Sequence, residues 1–541
     1  MQVDFAINIL NSLPFGPLGF MLLLPVVAAF IAYFAGKGAR VIALLVTAVE
    51  LGLSALLVLG VNPMAIEQTT IQNAGMQFVD VFVMGTIPIG EDLTTNFQFI
   101  LGVDGLSAVM LLLSNLVVFI AAISSNHIHK SEGFYYSLFL LLQVGLMGVF
   151  MSLDLIGFFI FWELVLIPMF FIIGRWGEEG CEHAAVKFFI YTHLGSAVML
   201  VAFFVIYLIA GAERNIYTFA LIQLSETGPE GLRTLLPTLA PMVQIGFALA
   251  IFMGAGVKLP VWPLHNWLPW AHVKAPTPGS VILAGILLKM GGYTFIRLGL
   301  WLVPSAFTRL SIPFAALAIF TCIYAAFTAM AQTDVKSLVA YTSINHMSWV
   351  LLGVAVASFA IGLDPAVAEN LRFINAANLA LQGSIFMMFS HGTIISVMFI
   401  MAGQLKYSAG TRQIPDIQGL MNKAPRMSAI LILASFAAFG LPGFSGFIAE
   451  ALVIFGSVVV YLWAGLITFG IFVTVGYVLW MLNRMVFSDP DPEKEVSEAP
   501  WSDLIAPILM MIPVILLGVW PDLVLDFTQA VVNFIIGGIA P

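Results

Sequence analysis

The stretch from Met253 to Tyr293 reads MGAGVKLPVWPLHNWLPWAHVKAPTPGSVILAGILLKMGGY, and it decides the fold of this chain. It places two lysines, Lys258 and Lys289, in apolar sequence typical of membrane spans, with five prolines between them. A proline inside a helix removes one backbone hydrogen bond, so we expect the first helix to break shortly after Lys258. A broken helix at membrane depth persists only where protein or a wet cavity surrounds it. Because a lysine at such a break is energetically costly, we interpret it as a functional residue.

The composition of the whole chain indicates a protein that crosses the membrane many times. Of its 541 residues, 61% are hydrophobic and only 9% are charged, a balance that water-soluble domains do not have. The two cysteines, Cys181 and Cys322, form no CxxC pair, which excludes a thiolate-bound iron–sulfur cluster within this chain. The histidines His127 and His129 lack further ligands nearby in sequence, so we predict a loop there and no metal site. Lys and Arg form no basic patch, which argues against a nucleic-acid partner.

A membrane-spanning helix needs about 20 apolar residues, and fourteen stretches of the chain qualify. They centre near residues 26, 51, 114, 143, 164, 197, 250, 288, 320, 347, 390, 443, 474 and 512. In the interval 61–100, alternating apolar residues predict a hairpin outside the membrane. The intervals 211–240 and 488–500 are polar and predict a loop and a solvated connector. The last twenty residues carry too many polar groups to predict a span.

The basic residues predict the orientation of the chain. Loops after odd-numbered predicted spans hold twelve Lys and Arg, among them Lys336, and loops after even-numbered spans hold five, among them Arg297. Cytoplasmic loops of membrane proteins carry the excess of Lys and Arg. We therefore expect both termini on the non-cytoplasmic side.

A weak internal symmetry relates two parts of the chain. The sequence VKLPVWPL around Pro260 is followed 182 residues later by FGLPGFSGF around Pro442. The same offset carries Glu163 to Asn345, beside His346. Interrupted spans at matching places in two halves are a sequence pointer to an ion or substrate site in repeat-built transporters.

Five ionisable residues inside predicted spans are candidates for moving protons. The carboxyl groups of Glu163 and Glu450 must be paired, hydrated or protonated in a low dielectric. Burial favours the neutral form of a lysine and a nearby carboxylate favours the charged form, so Lys258 and Lys289 can exchange protons when that distance changes. The alternative is a static buried ion pair, or a glutamate satisfied by one neighbour. Lys187 lies nearer a helix end, where reaching towards the surface is an equal alternative.

Histidines form a second group of candidates. Neutral imidazole passes a proton between its two nitrogens, which suits a relay, and four histidines lie in or near predicted spans: His193, His265, His346 and His391. The alternative for each is a hydrogen bond that packs helices together. His346 is favoured as a relay because the offset matches it to Glu163. For Glu50, in the second span, a structural or interface role is at least as plausible.

Four motifs together carry a resemblance to a known family. They are FFIFWELVLIPMFFIIGRWG, GVKLPVWPLHNWLPWAHVKAPTPGSVILAGILLKMGGY, TDVKSLVAYTSINHMSW and AAFGLPGFSGFIAE. Over residues 100–520 the chain resembles the antiporter-like proton-pumping subunits of respiratory complex I, which are related to Mrp antiporter subunits. Among them it resembles chain 4, the M or ND4 type, because the ionisable residue of span twelve is glutamate, Glu450. The chain also stops soon after span fourteen, without the long lateral helix of chain 5.

The resemblance implies an all-α polytopic membrane protein with about 14 transmembrane helices and discontinuous helices 7 and 12. It also implies two inverted five-helix repeats, spans four to eight and nine to thirteen. The domain boundaries we expect are 1–100 (two helices and an external loop), 101–133 (helix 3 and a connector), 134–300 (first antiporter-like half), 301–487 (second half) and 488–541 (connector, helix 14 and tail). Arg175 and the acidic loop EEGCEH after it depart from the family pattern.

The same resemblance implies a site and a function. Glu163, Lys258, Lys289 and Glu450 match the family's central ionisable axis, His346 lies between the halves, and His265 matches the histidine of the PLHxWLP motif. We expect proton translocation driven by quinone reduction elsewhere in a complex I, with no redox centre in this chain.

The expected surroundings follow from that function. We expect FMN, iron–sulfur clusters and quinone in partner subunits, N-type and L-type antiporter-like subunits and lipid as neighbours, and a prokaryotic cytoplasmic (inner) membrane. The alternatives are an Mrp-type cation/proton antiporter subunit, or the same subunit in an F420H2- or hydrogenase-linked complex.

Overall fold

The computed structural model describes residues 2–62, 75–88, 94–225 and 231–537. Within these ranges, twelve helices are long and apolar enough to cross a membrane. One of the twelve, Pro17–Gly60, is divided by a tight turn at Gly36–Gly38, and two shorter apolar helices, Pro425–Ala438 and Ser445–Val460, flank a break. The predicted class, a helical membrane protein, is confirmed, and the count of fourteen spans and the inverted repeats stay predictions.

The elements follow one another along the chain as helices with one strand pair. The first are α1 (Gln2–Asn11), α2 (Pro17–Ala35), α3 (Ala39–Gly60), β1 (Gln77–Pro88), β2 (Thr94–Val103), α4 (Gly105–Ile123), α5 (Glu132–Met151), α6 (Leu155–Leu164), α7 (Leu166–Trp176) and α8 (Cys181–Arg214). Next come α9 (Leu221–Leu224), α10 (Leu232–Leu235), α11 (Pro241–Lys258), α12 (Trp267–Lys274), α13 (Thr277–Ile282), α14 (Leu288–Thr294), α15 (Pro304–Thr308) and α16 (Ser311–Met330). The last are α17 (Val335–Ala360), α18 (Ala368–Ala409), α19 (Leu420–Lys423), α20 (Pro425–Ala438), α21 (Ser445–Val460), α22 (Thr468–Met485), α23 (Trp501–Val519) and α24 (Asp522–Gly537).

Two helical stretches form the centre of the molecule. Thr277–Leu302, which contains α13 and α14 joined by wider π turns, and α18 are buried along their whole apolar length. The N-terminal helices α2 and α3 are only about one third buried, and their exposed faces carry apolar side chains, such as Phe30 and Phe34 on α2 and Leu45 on α3. Lipid or another subunit can solvate those faces, whereas the central helices can hold polar groups away from lipid.

Both predicted helix breaks are confirmed. Helix α11 ends at Lys258 because Pro260, two residues later, has no N–H to continue the helix, and α12 begins only at Trp267. The second break separates α20 from α21, and its turn contains Gly440 and Gly443 with φ of 75° and 99°. Such positive φ values are accessible to glycine at low cost, so these two residues permit the turn.

The predicted hairpin is confirmed where the structure describes it. Strands β1 and β2 are antiparallel, with Asp80 opposite Leu101 and Pro88 opposite Thr94. Residues 63–74 and 89–93 of the predicted interval lie outside the described residues. The connector 488–500 has no helix or strand, as predicted, and the C-terminal residues form α24.

Two basic residues predicted in loops are buried in helices instead. Arg297 lies near the end of Thr277–Leu302 with 3% of its surface exposed, and it forms an ion pair with Asp104. Lys336 is the second residue of α17, is 1% exposed, and donates to the carbonyl of Ala275 at 2.6 Å. The loop prediction was wrong for both because each has a polar partner far away in sequence, which composition does not reveal.

We predict that the buried carboxyl group of Glu50 lowers the thermal stability of the protein. It lies on the buried stripe of α3, is fully buried, and neither carboxyl oxygen has a hydrogen-bond partner among the described residues. We expect Glu50→Leu to raise the thermal unfolding midpoint of the purified protein, because an unsatisfied buried polar group costs about 1–3 kcal/mol. Glu50→Gln is the matched control and should give no such gain. A midpoint lowered by leucine would show that Glu50 has a stabilising partner.

Candidate functional site

The first helix break holds Lys258 in an apolar and aromatic environment. Its side chain is 1% exposed, and its ammonium group has no hydrogen-bond partner among the described residues. The Nζ atom lies over the rings of Trp162 at 5.2 Å and Phe188 at 5.9 Å from the centroids. Such cation–π contacts favour a charged amine. The nearby carboxylate of Glu163 also interacts with it electrostatically.

Glu163 is held by two side chains of α8. The Nδ1 atom of His193 lies 2.7 Å from one carboxyl oxygen, and the hydroxyl of Ser196 donates to the other. The helix that carries Glu163, α6, is capped by Asp154, whose side chain accepts two backbone N–H groups at 2.9 Å. Burial raises the pKa of Asp154 to about 6, although these bonds act in the opposite direction. From the sequence, His193 is either a proton relay or a helix-packing residue; in the structure it contacts Glu163 directly.

Lys289 lies at the centre of the molecule, beside a π turn. The wider turn Leu283–Leu287 leaves carbonyls free of the regular helical pattern, and the ammonium group of Lys289 donates to Ala284 O at 2.5 Å. The same Nζ atom lies 2.6 Å from Nδ1 of His391 on α18. When Lys289 is charged it donates to His391, whose Nε2 has no partner among the described residues. That nitrogen is free to pass a proton onward.

Lys289 and His391 are the first two members of a row of buried titratable residues that continues through His346 to Glu450; we call it the buried row. The rings of His391 and His346 meet edge to face with centroids 5.5 Å apart. His346 Nε2 lies 3.9 Å from Oε1 of Glu450, and both side chains are less than 10% exposed. Gly440, in the second helix break, lies against the other carboxyl oxygen, where a larger residue would collide. The absence of a side chain at Gly440, in the second break, therefore leaves space for the carboxyl group of Glu450.

The structure brings the predicted residues together in two groups. One contains Glu163 and Lys258, and the other is the buried row that runs from Lys289 to Glu450. Helix α14 packs closely against α11, because Gly291 has no side chain where it meets the backbone of Ala255 in α11 and of Leu259 just after it. No hydrogen bond within the described ranges joins the two lysines directly.

His265 and Lys187 lie apart from both groups. His265 is buried in the segment after the first break, with its ring edge towards Tyr324 and its Nδ1 atom without a partner in the described part of the chain. Lys187 is partly exposed, lies over the ring of Trp270, and donates to Asn266 at 3.4 Å. Both are therefore near the break without contacting Lys258 through a hydrogen bond.

Two titratable residues of the interior were missed by the sequence reasoning, His272 and Lys336. His272 on α12 is fully buried, its ring stacks on Phe399 with centroids 4.5 Å apart, and neither ring nitrogen has a partner in the described ranges. It interacts electrostatically with Lys336 and with Lys289. The signal that could have found them is their position at the ends of apolar spans, beside prolines and a helix cap.

A metal site has no support within the described residues, where no group of three or more His, Cys, Asp and Glu could hold an ion. His127, predicted in a loop, ends a short 3₁₀ turn, bonds Asp503 at 3.0 Å and stacks on Tyr407 at 3.9 Å.

Two family models and several known proteins match this chain. The family model described as NADH:quinone oxidoreductase/Mrp antiporter, TM, matches residues 152–369 and 370–475, and that for NADH-ubiquinone oxidoreductase chain 4, amino terminus, matches residues 44–153. NADH-quinone oxidoreductase subunit M of Rhodobacter capsulatus is 36% identical over 96% of this chain and 94% of its own. F(420)H(2) dehydrogenase subunit M of Methanosarcina mazei is 35% identical over 80% and 82%.

A solved structure extends the likeness to the fold of nearly the whole chain. A chain of respiratory complex I from Thermus thermophilus superposes with a TM-score of 0.77 at 25% identity, covering 96% of this chain and all of that one. The family models cover most of the sequence, including both helix breaks and every residue of the buried row. This chain therefore belongs to the family of NADH:quinone oxidoreductase and Mrp antiporter membrane subunits, and its amino-terminal part to that of chain 4.

Proposed function

We propose that this chain is the M-type, proton-translocating subunit in the membrane arm of an NADH:quinone oxidoreductase. The observation that carries the proposal is the buried row Lys289, His391, His346 and Glu450, in which each group lies within one short step of the next. Such a row of titratable groups inside a membrane protein is costly, and proton relays are its usual use. The energy would come from quinone reduction in partner subunits, where FMN and iron–sulfur clusters are also expected.

Proton movement along the row uses the two nitrogens of each imidazole. A charged Lys289 gives its proton to Nδ1 of His391, and the imidazole releases a proton from Nε2 on its other side. His346 then delivers to Glu450. The 3.9 Å between His346 and Glu450 is longer than a hydrogen bond, so one water or a side-chain rotation completes that step.

Glu163 controls the charge of Lys258 at the other end. The closer the carboxylate comes to the ammonium group, the more the charged form of Lys258 is favoured. His193 and Ser196 hold the carboxyl group in place, so a change in their position would change the charge of Lys258. His265 and Lys187, which lie beside the break, are secondary members of this proposed pathway.

A partner subunit is expected on the face that carries Glu163. The side chains of His193 and Glu163 are 53% and 21% exposed in the isolated chain. Because charged groups facing hydrocarbon are unfavourable, another protein should cover them. We propose an N-type or L-type antiporter-like subunit there, in a prokaryotic inner membrane with both termini on the non-cytoplasmic side.

Isolation of the intact complex tests the proposed function. A tagged copy of this chain should copurify with flavin and iron–sulfur subunits, and the complex in vesicles should couple NADH oxidation to proton uptake. A second candidate, an F420H2-linked complex, is supported by the Methanosarcina mazei relative; oxidation of F420H2 in place of NADH would favour it. Na+/H+ exchange by the chain purified without an electron-transfer module would contradict both and favour an Mrp-type antiporter.

A further inference from the structure

A cavity of about 290 Å³ with charged side chains in its lining lies among residues from several separate parts of the chain. Glu178 lines it from the loop after α7, and Pro276 lines it from the segment that leads into α13. Lys406 and Arg412 line it from the end of α18 and the loop that follows. None of the residues in the buried row lines this cavity.

Glu178 is the centre of an ion-pair cluster at this cavity. Arg412 donates to both of its carboxyl oxygens, at 2.5 and 3.0 Å, and Lys406 Nζ lies 3.1 Å from one of them. Arg412 also donates to Asp334 at 3.3 Å. Burial alone would raise the pKa of Glu178, but the hydrogen bond from Arg412 and the positive charges around it lower that pKa overall. Glu178 is therefore ionised at neutral pH.

Two buried titratable groups contact residues that are next in sequence to the cavity lining. Lys336 donates to the carbonyl of Ala275, which precedes the lining residue Pro276. The ring of His272 stacks on Phe399, which precedes the lining residue Ile400. His272 in turn interacts with Lys289, the first residue of the buried row. Contacts next to the cavity lining thus lead to these two groups, and His272 interacts electrostatically with the first residue of the row.

The charges around Lys336 balance only when Glu178 is present. Asp334, which caps the same helix, acts on Lys336, as do Arg412, Glu178 and Lys406 from other parts of the chain. Two of these groups are anionic and two are cationic. His272 on α12 also interacts with it electrostatically. Removal of the Glu178 charge would leave one uncompensated positive charge beside a buried amine, which disfavours its protonated form.

We propose that Lys336 and His272 accept protons from this cavity, and that Glu178 is a positioning residue that keeps Lys336 able to do so by neutralising Arg412 and Lys406. This inference rests on the proposed proton-translocating function. The backbone fixes the loop that carries Glu178, because Glu178 N donates to Lys274 O at 2.8 Å and Lys274 Nζ donates to Glu179 O at 2.6 Å.

The test is the pH profile of proton pumping by the complex in vesicles. Glu178→Gln should shift the alkaline limb of the profile about one pH unit towards acid, the lower end of the effect of one nearby charge. Lys406→Gln removes a positive charge and should shift the same limb towards alkali, by less, because the Lys406 side chain is 46% exposed. Glu179→Gln, next to Glu178 but outside the cluster, is the matched control and should not shift it.

Shifts of the pH profile in opposite directions distinguish this electrostatic role from a structural one. Loss of packing alone would not shift the profile in a direction that depends on the charge removed. An unshifted profile in Glu178→Gln, or an equal shift in Glu179→Gln, would overturn the inference. If Glu178→Gln does not assemble, Lys406→Gln still decides, and an acid or absent shift there would contradict it. Wild-type pumping in Lys258→Ala would instead refute the proposed function, so the two failures are separable.

Discussion

Replacement of Lys258 by alanine should leave the complex assembled and reduce proton pumping about 100-fold, the lower range for loss of a positioned proton-transfer group. Lys258 is fully enclosed, and its ammonium group depends on Trp162, Phe188 and the charge of Glu163 rather than on a hydrogen bond. Alanine therefore removes the charge without leaving a polar partner unsatisfied. The small cavity should cost some stability and leave the fold intact.

Glu163→Gln should have a similar effect on pumping for a different reason. The amide keeps the shape of the side chain and can still bond Ser196 and His193, but it cannot favour the charged form of Lys258. Pumping is measured as dye-reported acidification of vesicles driven by NADH, together with the rate of coupled quinone reduction. Lys37→Ala, at an exposed position in the turn between α2 and α3, is the control and should retain wild-type pumping. Pumping at wild-type stoichiometry in Lys258→Ala or Glu163→Gln would rule out the proposed pathway.

The local chemistry of proline and of buried charge made part of this site predictable. Pro260 cannot continue a helix, so the break after Lys258 followed from the sequence alone. Glu163 and Glu450 could be selected because a carboxyl group in a long apolar stretch has few uses other than function. These predictions depend on neighbours within a few residues, which the sequence displays directly.

The contacts between distant elements could not be predicted in this way. Lys289 and His391 are 102 positions apart in sequence and contact each other only in the folded chain. Lys289 also lies beside a π turn, which the residue pattern does not predict. A charged residue at the end of an apolar span usually indicates a loop, so the sequence predicts loops at Lys336 and Arg297. In the structure both are buried, because Lys336 bonds the distant carbonyl of Ala275 and Arg297 pairs with the distant carboxylate of Asp104. A partner that is distant in sequence can therefore keep a charged residue buried at a position where the local sequence predicts a loop.

Arg297 and Asp104 should be the most sensitive positions for stability. The two side chains are 3% and 2% exposed and form an ion pair, and Arg297 also donates to Tyr293 at 3.1 Å and to Ser107 at 3.2 Å. Breaking a buried pair by removing one member typically costs about 3–5 kcal/mol, because the other charge stays buried without compensation. We expect Arg297→Met to lower the thermal unfolding midpoint strongly and to release the subunit from the purified complex.

The double variant Asp104→Asn/Arg297→Met separates the burial of a lone charge from the loss of packing. Asparagine removes the remaining charge and still caps α4, as Asp104 does by accepting from Ser107 N at 2.9 Å. Methionine roughly fills the space of the arginine stem. Most of the lost stability should therefore return, since replacing a whole buried ion pair is often nearly neutral. Thermal melting and subunit retention on size-exclusion chromatography measure both variants. A double variant as unstable as Arg297→Met would show that Arg297 stabilises the fold through Tyr293 and Ser107 rather than through its ion pair.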